Sequence, residues 1–292
     1  IRSHLTLVYE YRNPDYLVSE RNASHPRVVE VSPHNESQIH KTGSVNNVCV
    51  TEMESRTFEN PVRIGMLTPS SNSVLEPVTH EMIRDLNNIS VHFSRLRVTE
   101  IALDETALAQ FDLKPFLQAT SLLTDARCKV IAWSGTSGGW RGFDHDRAIC
   151  ETIESASGAR ATTSVLALQN LFEEHGIGEF GLLTPYTADI QEKIIQNFGD
   201  HGFQCIAERH LNIRDNFSFA GVDTKTLDRL CRELSAEGAR SIAIICTNIK
   251  GAGLAQALEA ELGITLYDSV AAVVLRALQL ADIEPGQIQG WG

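Results

Sequence analysis

The chain has 292 residues, 42% of them hydrophobic, which is enough for a large buried core or for two small domains. Its formal net charge of -12 argues against nucleic acid or an anionic membrane surface as a partner. No apolar run reaches the about 18 residues that span a bilayer. The six cysteines show neither CxxC spacing nor a histidine ligand pattern. A cytoplasmic, reduced protein without metal is therefore expected.

The first part of the chain, residues 1–60, differs from the rest. It is rich in Asn, Ser, His, Glu and Arg and lacks a sustained hydrophobic period. Segments of this kind bury too little apolar surface to fold alone. We expect a polar and flexible extension over 1–60, with the folded body starting near Met53.

From Arg63 onward, short apolar strands alternate with amphipathic helices. Continuous apolar runs are typical of parallel strands that are covered by helices on both faces. The alternation predicts right-handed βαβ units. The predicted strands cover 63–68, 89–96, 129–134, 161–163, 179–184, 204–210, 241–246 and 264–267. The predicted helices cover 75–87, 113–126, 144–157, 164–175, 188–201, 224–237, 252–262 and 269–281.

The chain also contains an internal repeat. GMLTPSSN at 65–72 and VIAWSGTSG at 130–138 match GLLTPYT at 181–187 and IAIICTN at 242–248. In each copy, one buried strand enters a Thr-Pro loop and a second enters a small polar loop. The repeat predicts an α/β fold with two pseudo-symmetric parallel-sheet lobes, over 61–170 and 171–292. Because ligands bind beyond the carboxyl ends of parallel strands, the expected site is the cleft between the lobes.

The two copies differ at one position that matters for chemistry. Cys246 ends the last strand of the second motif, where the first motif carries Gly135. We expect the thiol to be exposed in the cleft, next to backbone N–H groups and a helix start near Ala252 that lower its pKa. The strand-end position alone fits a buried core cysteine equally well.

Polar loop residues complete the candidate site. Thr136 and Ser137 follow Gly135, and their hydroxyls suit a carboxylate or a developing oxyanion. Tyr186 and Asn72 follow the Thr-Pro pairs and offer a phenol and an amide for carboxylate oxygens. Each is also an ordinary loop residue when taken singly. The glycine spacing at 135–142 fits no nucleotide-binding motif, so nucleotide binding is not expected.

Two acidic segments are interpreted as helix starts. Asp144-His145-Asp146 resembles a metal ligand pattern, but acidic groups at a helix start suit the helix dipole, and i,i+2 positions do not share a face. Asp144 is expected to cap the helix over 144–157, and Asp223 is expected to cap the helix over 224–237. No cofactor is expected.

Over the stretch 63–281 the chain resembles the aspartate/glutamate racemase superfamily. PSSN, with Pro69 and Asn72, and CTN, with Thr247 and Asn248, look like maleate cis-trans isomerase. The resemblance to that enzyme implies Asn residues that hold substrate carboxylates and a reaction that uses two cysteines.

A second branch of the superfamily is also similar. GTS at 135–137, followed by Arg-Gly at 141–142, and VDTKTL at 222–227 look like arylmalonate decarboxylase, which keeps the second cysteine and lacks the first. TPY at 184–186 suits both branches. The resemblance implies Cys246 as the catalytic group. It implies a substrate site formed by Pro69, Asn72, Gly135, Thr136, Ser137, Tyr186, Thr247 and Asn248.

The missing first thiol favours a cofactor-independent decarboxylase of a malonate-type dicarboxylic acid, because loss of CO2 needs an enediolate-stabilising site and one proton donor. The alternative is a maleate cis-trans isomerase or an Asp/Glu-type racemase of a small dicarboxylate, in which Ser134 or Thr136 replaces the cysteine; both are poor bases. A third possibility is a catalytically silent protein that only binds carboxylates, since a fold alone does not determine function. All three imply a small dicarboxylate as partner, and the sequence leaves the oligomeric state open.

Overall fold

The computed structural model describes residues 60–286 and 288–291, so the extension predicted over 1–60 lies outside the described residues except for Asn60. In the described range the strands are β1 Val62–Pro69, β2 Ile89–Leu96, β3 Val130–Trp133, β4 Arg160–Thr163, β5 Glu179–Thr184, β6 Gln204–His210, β7 Ser241–Ile244 and β8 Thr265–Asp268. The α-helices are α1 Leu75–Met82, α2 Glu105–Ala109, α3 Leu113–Asp125, α4 Gly138–Arg141, α5 Phe143–Ser157, α6 Ser164–Glu174, α7 Ala188–Asp200, α8 Thr224–Ala236, α9 Ala255–Leu262 and α10 Ser269–Leu280. Two short 3₁₀ helices cover Phe217–Gly221 and Ala252–Leu254.

The strands form two four-stranded sheets with the same internal order, β2-β1-β3-β4 and β6-β5-β7-β8. All pairings between these strands are parallel. The predicted two-lobed α/β fold and its internal repeat are thereby confirmed. In each sheet the winding reverses between the two central strands, β1 and β3 or β5 and β7, and ligands of parallel sheets bind at such switch points.

The helix that follows the last strand of each sheet packs against the other sheet. Val273 and Ala277 of α10 lie in one buried cluster with Ile64 and Val130 of the first sheet. Phe172 of α6 lies edge-on to aromatic rings of the second lobe, at ring-centroid distances of 5.2 Å from Phe180, 5.4 Å from Phe203 and 5.1 Å from Tyr267. Separating the sheets would expose these apolar faces to water, so the exchange holds the two lobes together.

Most predicted elements agree with the structure to within one or two residues. The first helix is shorter than predicted, because the chain turns after Met82 and Asn88 takes a left-handed φ of 60° before β2 begins. The sequence did not indicate α2 or α4, since helices of four or five residues are too short to show a hydrophobic period. Among the described residues, no helix combines the length and the hydropathy that a membrane crossing requires.

Of the two predicted helix caps, one is wrong and one is confirmed. The helix α5 begins at Phe143 rather than after Asp144, because Gly142, with φ +98°, makes the turn that separates α4 from α5. Asp144 therefore lies in the first turn and pairs with Arg147 at 2.6 Å. Asp223 does cap α8, with its carboxylate accepting the N–H of Thr226 at 2.8 Å.

Candidate active site

The predicted site residues lie at the carboxyl ends of the central strands of both sheets. Pro69 is the last residue of β1, and Tyr186 comes two residues after β5. The Gly135–Ser137 loop follows β3, and Cys246, Thr247 and Asn248 follow β7. The duplicated loops thus meet where the two sheets face each other, and hydrogen bonds connect them directly.

Two asparagine amides join the loops of the two lobes. Asn72 donates from Nδ2 to the carbonyl oxygen and to Oγ1 of Thr247, both at 3.1 Å. Asn248 accepts the backbone N–H of Ser73 at Oδ1, 3.0 Å away, and donates from Nδ2 to the carbonyl of Asn216. Thr247 also donates to the carbonyl of Ser134 at 3.0 Å. These amides therefore hold the two loops together, and a substrate carboxylate would have to compete for them.

A chain of polar groups also connects the two lobes at Cys246. The hydroxyls of Thr136, from the first lobe, and Tyr186, from the second, lie 2.6 Å apart. The Tyr186 phenol is also in hydrogen-bonding contact with the Cys246 thiol. The tyrosine ring is held by Trp140 and Phe219, whose ring centroids lie 5.3 and 5.4 Å away. Burial raises the pKa of Tyr186 well above its usual value, so its hydroxyl stays protonated.

Cys246 is not exposed in the cleft, contrary to the prediction: only 2% of its surface is accessible. Its sulfur accepts the backbone N–H of Asn248 at 3.3 Å. Burial raises the pKa of the thiol to about 12, although N–H groups of Asn248 and Ile249 and the Tyr186 hydroxyl lower it. The predicted lowering of the pKa is therefore also wrong, because desolvation outweighs those donors. At neutral pH the buried sulfur carries its proton.

Two loops, one from each lobe, contact each other near these residues. Glu100 and Asp215 form an antiparallel bridge, and Arg214 makes ion pairs with Glu100 at 2.6 Å and Asp104 at 3.4 Å. Asn216 continues the contact by donating its backbone N–H to the carbonyl of Thr99 at 3.0 Å. The carbonyl of Asn216 also accepts the Asn248 amide, so this contact between the lobes lies next to the buried site residues.

The sequence did not point to two residues that support Cys246. Asp268 ends β8 and caps α10 by accepting the N–H of Val270 at 2.8 Å. Burial raises the pKa of Asp268 to about 7, and its negative charge, when present, raises the pKa of Cys246. The neighbouring Ser269 accepts the backbone N–H of Cys246 at 3.1 Å. The internal repeat could have indicated them, because Asp268 and Ser269 stand where Thr163 and Ser164 stand in the first copy.

A second buried carboxyl lies beneath the loop of the first lobe. Asp146, on α5, is wholly buried and is bonded to the hydroxyl of Thr163 at 2.5 Å. Its other oxygen, Oδ1, has no hydrogen-bond partner among the described residues, and its carboxyl lies against Gly138. Burial raises the pKa of Asp146 to about 7. The buried carboxyl therefore lies against Gly138, the residue that follows the Gly135–Ser137 loop.

Replacing Asp146 with Asn is expected to flatten the dependence of stability on pH. The pKa of Asp146 rises on folding from 3.8 to about 7, so its contribution is fully present below pH 4 and is lost as the pH rises through 7. Urea unfolding measures the free energy of unfolding at pH 5 and at pH 8. Between these two pH values, the unmutated protein should lose on the order of 3 kcal/mol more of this free energy than Asp146→Asn does. The exposed Asp144→Asn serves as control, and equal losses in all three proteins would contradict the assignment.

The acidic segment 144–146 does not form a metal site. Asp144 is exposed, whereas Asp146 is buried, so the two carboxylates do not face one ion. Burial, together with the nearby Arg141, lowers the pKa of His145 to about 4. Across the described ranges, no group of three or more His, Cys, Asp or Glu side chains is placed to hold a metal ion.

Known proteins that are similar to this chain are of two kinds. The family described as arylmalonate decarboxylase matches residues 65–291. A maleate isomerase from Geobacillus stearothermophilus is 22% identical over 235 residues, which cover 76% of this chain and 92% of the relative.

Solved structures of the same two kinds share the fold. A Nocardia farcinica maleate cis-trans isomerase mutant with a covalently bound succinylcysteine intermediate has a TM-score of 0.69 at 21% identity, covering 76% of this chain and 93% of that one. A liganded mutant of arylmalonate decarboxylase has a TM-score of 0.69 at 22% identity, covering 80% and 97%. At such identities the likeness shows the fold alone.

Proposed function

Since the chain belongs to the arylmalonate decarboxylase family, we propose that it is a cofactor-independent decarboxylase of a malonate-type dicarboxylic acid. The observation that carries this proposal is the single thiol at the meeting point of the two sheets. Cys246 lies at the end of β7, while the matching loop of the first lobe has Gly135. One proton donor is enough for decarboxylation, whereas racemisation through two thiols and thiol-dependent isomerisation need more.

The proposed reaction begins with the breaking of the bond between the α-carbon and one carboxylate. CO2 leaves, and the electron pair remains on the α-carbon and spreads onto the other carboxylate as an enediolate. The S–H of Cys246 then donates its proton to the α-carbon and forms the new C–H bond. The resulting thiolate takes up a proton from water. Protonation from one side makes a chiral product from a disubstituted malonate.

Hydroxyl and amide donors stabilise the enediolate in this proposal. Thr136 and Tyr186 share a hydrogen bond of 2.6 Å, which uses one of their two hydroxyl hydrogens, and in this proposal the other turns to a substrate oxygen. Ser137 and the backbone N–H of Thr247 provide the other donors. Neutral donors in a buried site act strongly on a developing charge because water does not screen them.

The protonation state of Cys246 supports the role of acid. With a pKa of about 12, the thiol holds its proton throughout the neutral range. A nucleophile or base would have to be a thiolate at that pH. The ionised Asp268 carboxylate would favour the protonated thiol further.

The asparagines favour a polar or aliphatic diacid over an aryl one. Asn72 and Asn248 make the site more polar than hydroxyls alone, and each could exchange a bond between the loops for one to a carboxylate.

We also propose a cytoplasmic location, because the five described cysteines are all free thiols, as expected in a reducing compartment.

The second candidate function is cis-trans isomerisation of maleate, favoured by the similarity to maleate isomerases. In that reaction a thiolate adds to the double bond, and a second group assists. Gly135 offers no side chain for the task, and Ser134 donates its hydroxyl to the Met66 sulfur at 3.0 Å. Thr136 is a poor nucleophile at neutral pH. The decarboxylase is therefore preferred.

Proton NMR in D2O distinguishes the two functions. The purified protein is incubated separately with phenylmalonate, an alkylmalonate and maleate. We expect a monodeuterated monocarboxylate from at least one malonate and no fumarate from maleate. Fumarate formation would replace the decarboxylase with the isomerase. No conversion of any substrate would support the catalytically silent carboxylate-binding protein.

A further inference from the structure

Trp133, the last residue of β3, lies directly behind the Gly135–Ser137 loop. It is wholly buried, and its indole packs edge-on against Phe116 with ring centroids 4.9 Å apart. Neither the proposed reaction nor the sequence motifs assign it a role. Two contacts between Trp133 and this loop, one steric and one polar, indicate a role for it.

The steric contact is with Gly135. A Cβ atom at this position would lie 2.1 Å from Cζ2, 2.4 Å from Cε2 and 2.7 Å from Cη2 of Trp133. These atoms belong to the benzene half of a buried ring, which cannot move aside without disturbing Phe116. The indole therefore excludes every side chain, including a second thiol, from position 135.

The polar contact is with Ser137. The Nε1–H of Trp133 donates to Ser137 Oγ at 3.2 Å, and both side chains are wholly buried. Because the oxygen receives this hydrogen bond, the hydroxyl hydrogen of Ser137 points elsewhere. The described part of the chain offers that hydrogen no acceptor, so it is available to a ligand.

We propose that Trp133 is the positioning residue that commits this site to a single thiol and orients the Ser137 hydroxyl as a donor. This inference rests on the proposed function and deepens it: the substrate is one that needs proton delivery from the Cys246 side only. A malonate-type acid meets that requirement. A substrate that needs a second thiol at position 135 does not.

The steric half is tested by thermal unfolding, without any activity. Gly135→Ala is expected to lower the midpoint by roughly 5–10 °C, because it overpacks a rigid site. Trp133→Phe removes the clashing half of the ring. In that background, Gly135→Ala should lower the midpoint by less than about 2 °C. Equal losses in both backgrounds would overturn the steric claim.

The polar half is tested by steady-state kinetics with the malonate that the protein converts. Trp133→Phe should lower kcat about tenfold with little change in KM, since the misoriented hydroxyl acts on the developing charge. In a Ser137→Ala background, Trp133→Phe should lower kcat by less than about twofold. Phe116→Leu, which removes the ring contact but keeps the indole N–H, should lower the unfolding midpoint and should lower kcat by less than Trp133→Phe does.

The outcomes separate the two levels of inference. Independent effects of Trp133→Phe and Ser137→Ala on kcat would show that Trp133 does not act through Ser137. Absence of turnover in the unmutated protein would overturn the proposed function, and the polar half with it. The unfolding cycle would still decide the steric half.

Discussion

Replacing Cys246 with Ala is expected to lower the kcat of decarboxylation about 1000-fold and to leave binding of the malonate almost unchanged. A well-placed general acid contributes on the order of 10²–10⁴ to a rate, and no other thiol is placed at the loops of the cleft within the described residues. In the proposed site the substrate is held by hydroxyls and amides, which the mutation keeps. Steady-state kinetics, with substrate binding measured by calorimetry, check both parts.

The matched control is Cys128→Ala. Cys128 is also a buried free thiol, with a pKa that burial raises to about 11, but it lies before β3 at the opposite end of the first sheet. Its loss should affect stability only. Ionisation of Cys246 should not lower kcat between pH 6 and pH 9, because the thiol, with a pKa of about 12, stays protonated there; any change of kcat near pH 7 would instead follow the buried carboxyls, whose pKa values are about 7. Retention of activity in Cys246→Ala would exclude the thiol as the acid.

The fold was largely predictable because its determinants are local. Continuous apolar runs such as 241–246 identify buried parallel strands, and the repeat of Thr-Pro loops indicates two similar sheets. The exchange of α6 and α10 between the sheets was not predictable, because it depends on which apolar face meets which over a long sequence separation. The short helix α4 was not predicted, because it is too short to show a hydrophobic period.

The loops of the site were predictable as a group, but their electrostatics were not. Cys246, Thr136 and Tyr186 each follow a parallel strand, so the topology alone predicts that they lie close together. The sequence predicted an exposed, acidic thiol from nearby N–H groups, whereas the loops of the two lobes bury it and raise its pKa. Such a pKa depends on the sum of desolvation and donors, and only the folded structure shows how completely water is excluded. Trp133 was missed because a tryptophan at a strand end looks like core.

Replacing Tyr186 with Phe is expected to lower kcat about 100-fold. The ring should stay in place, because Trp140 and Phe219 hold it through edge-on contacts at 5.3 and 5.4 Å. Only the hydroxyl is lost, together with its bonds to Thr136 and Cys246. Removal of one oxyanion donor typically costs about 2.7–4 kcal/mol of transition-state stabilisation, and about 2.7 kcal/mol corresponds to a factor of 100. Single-turnover kinetics measure this loss at the chemical step.

Tyr267→Phe provides the matched control in the same lobe. Its phenol is bonded to His175 at 2.9 Å, at the end of α6, and is not part of the cleft. This variant should retain the unmutated rate. Thr136→Val should lower kcat by a factor similar to that of Tyr186→Phe. The double variant should lower kcat little more than either single variant, since the two hydroxyls act as one hydrogen-bonded pair. Multiplicative losses would mean instead that each hydroxyl contacts the substrate independently, and that the 2.6 Å bond between them gives way when the enediolate forms.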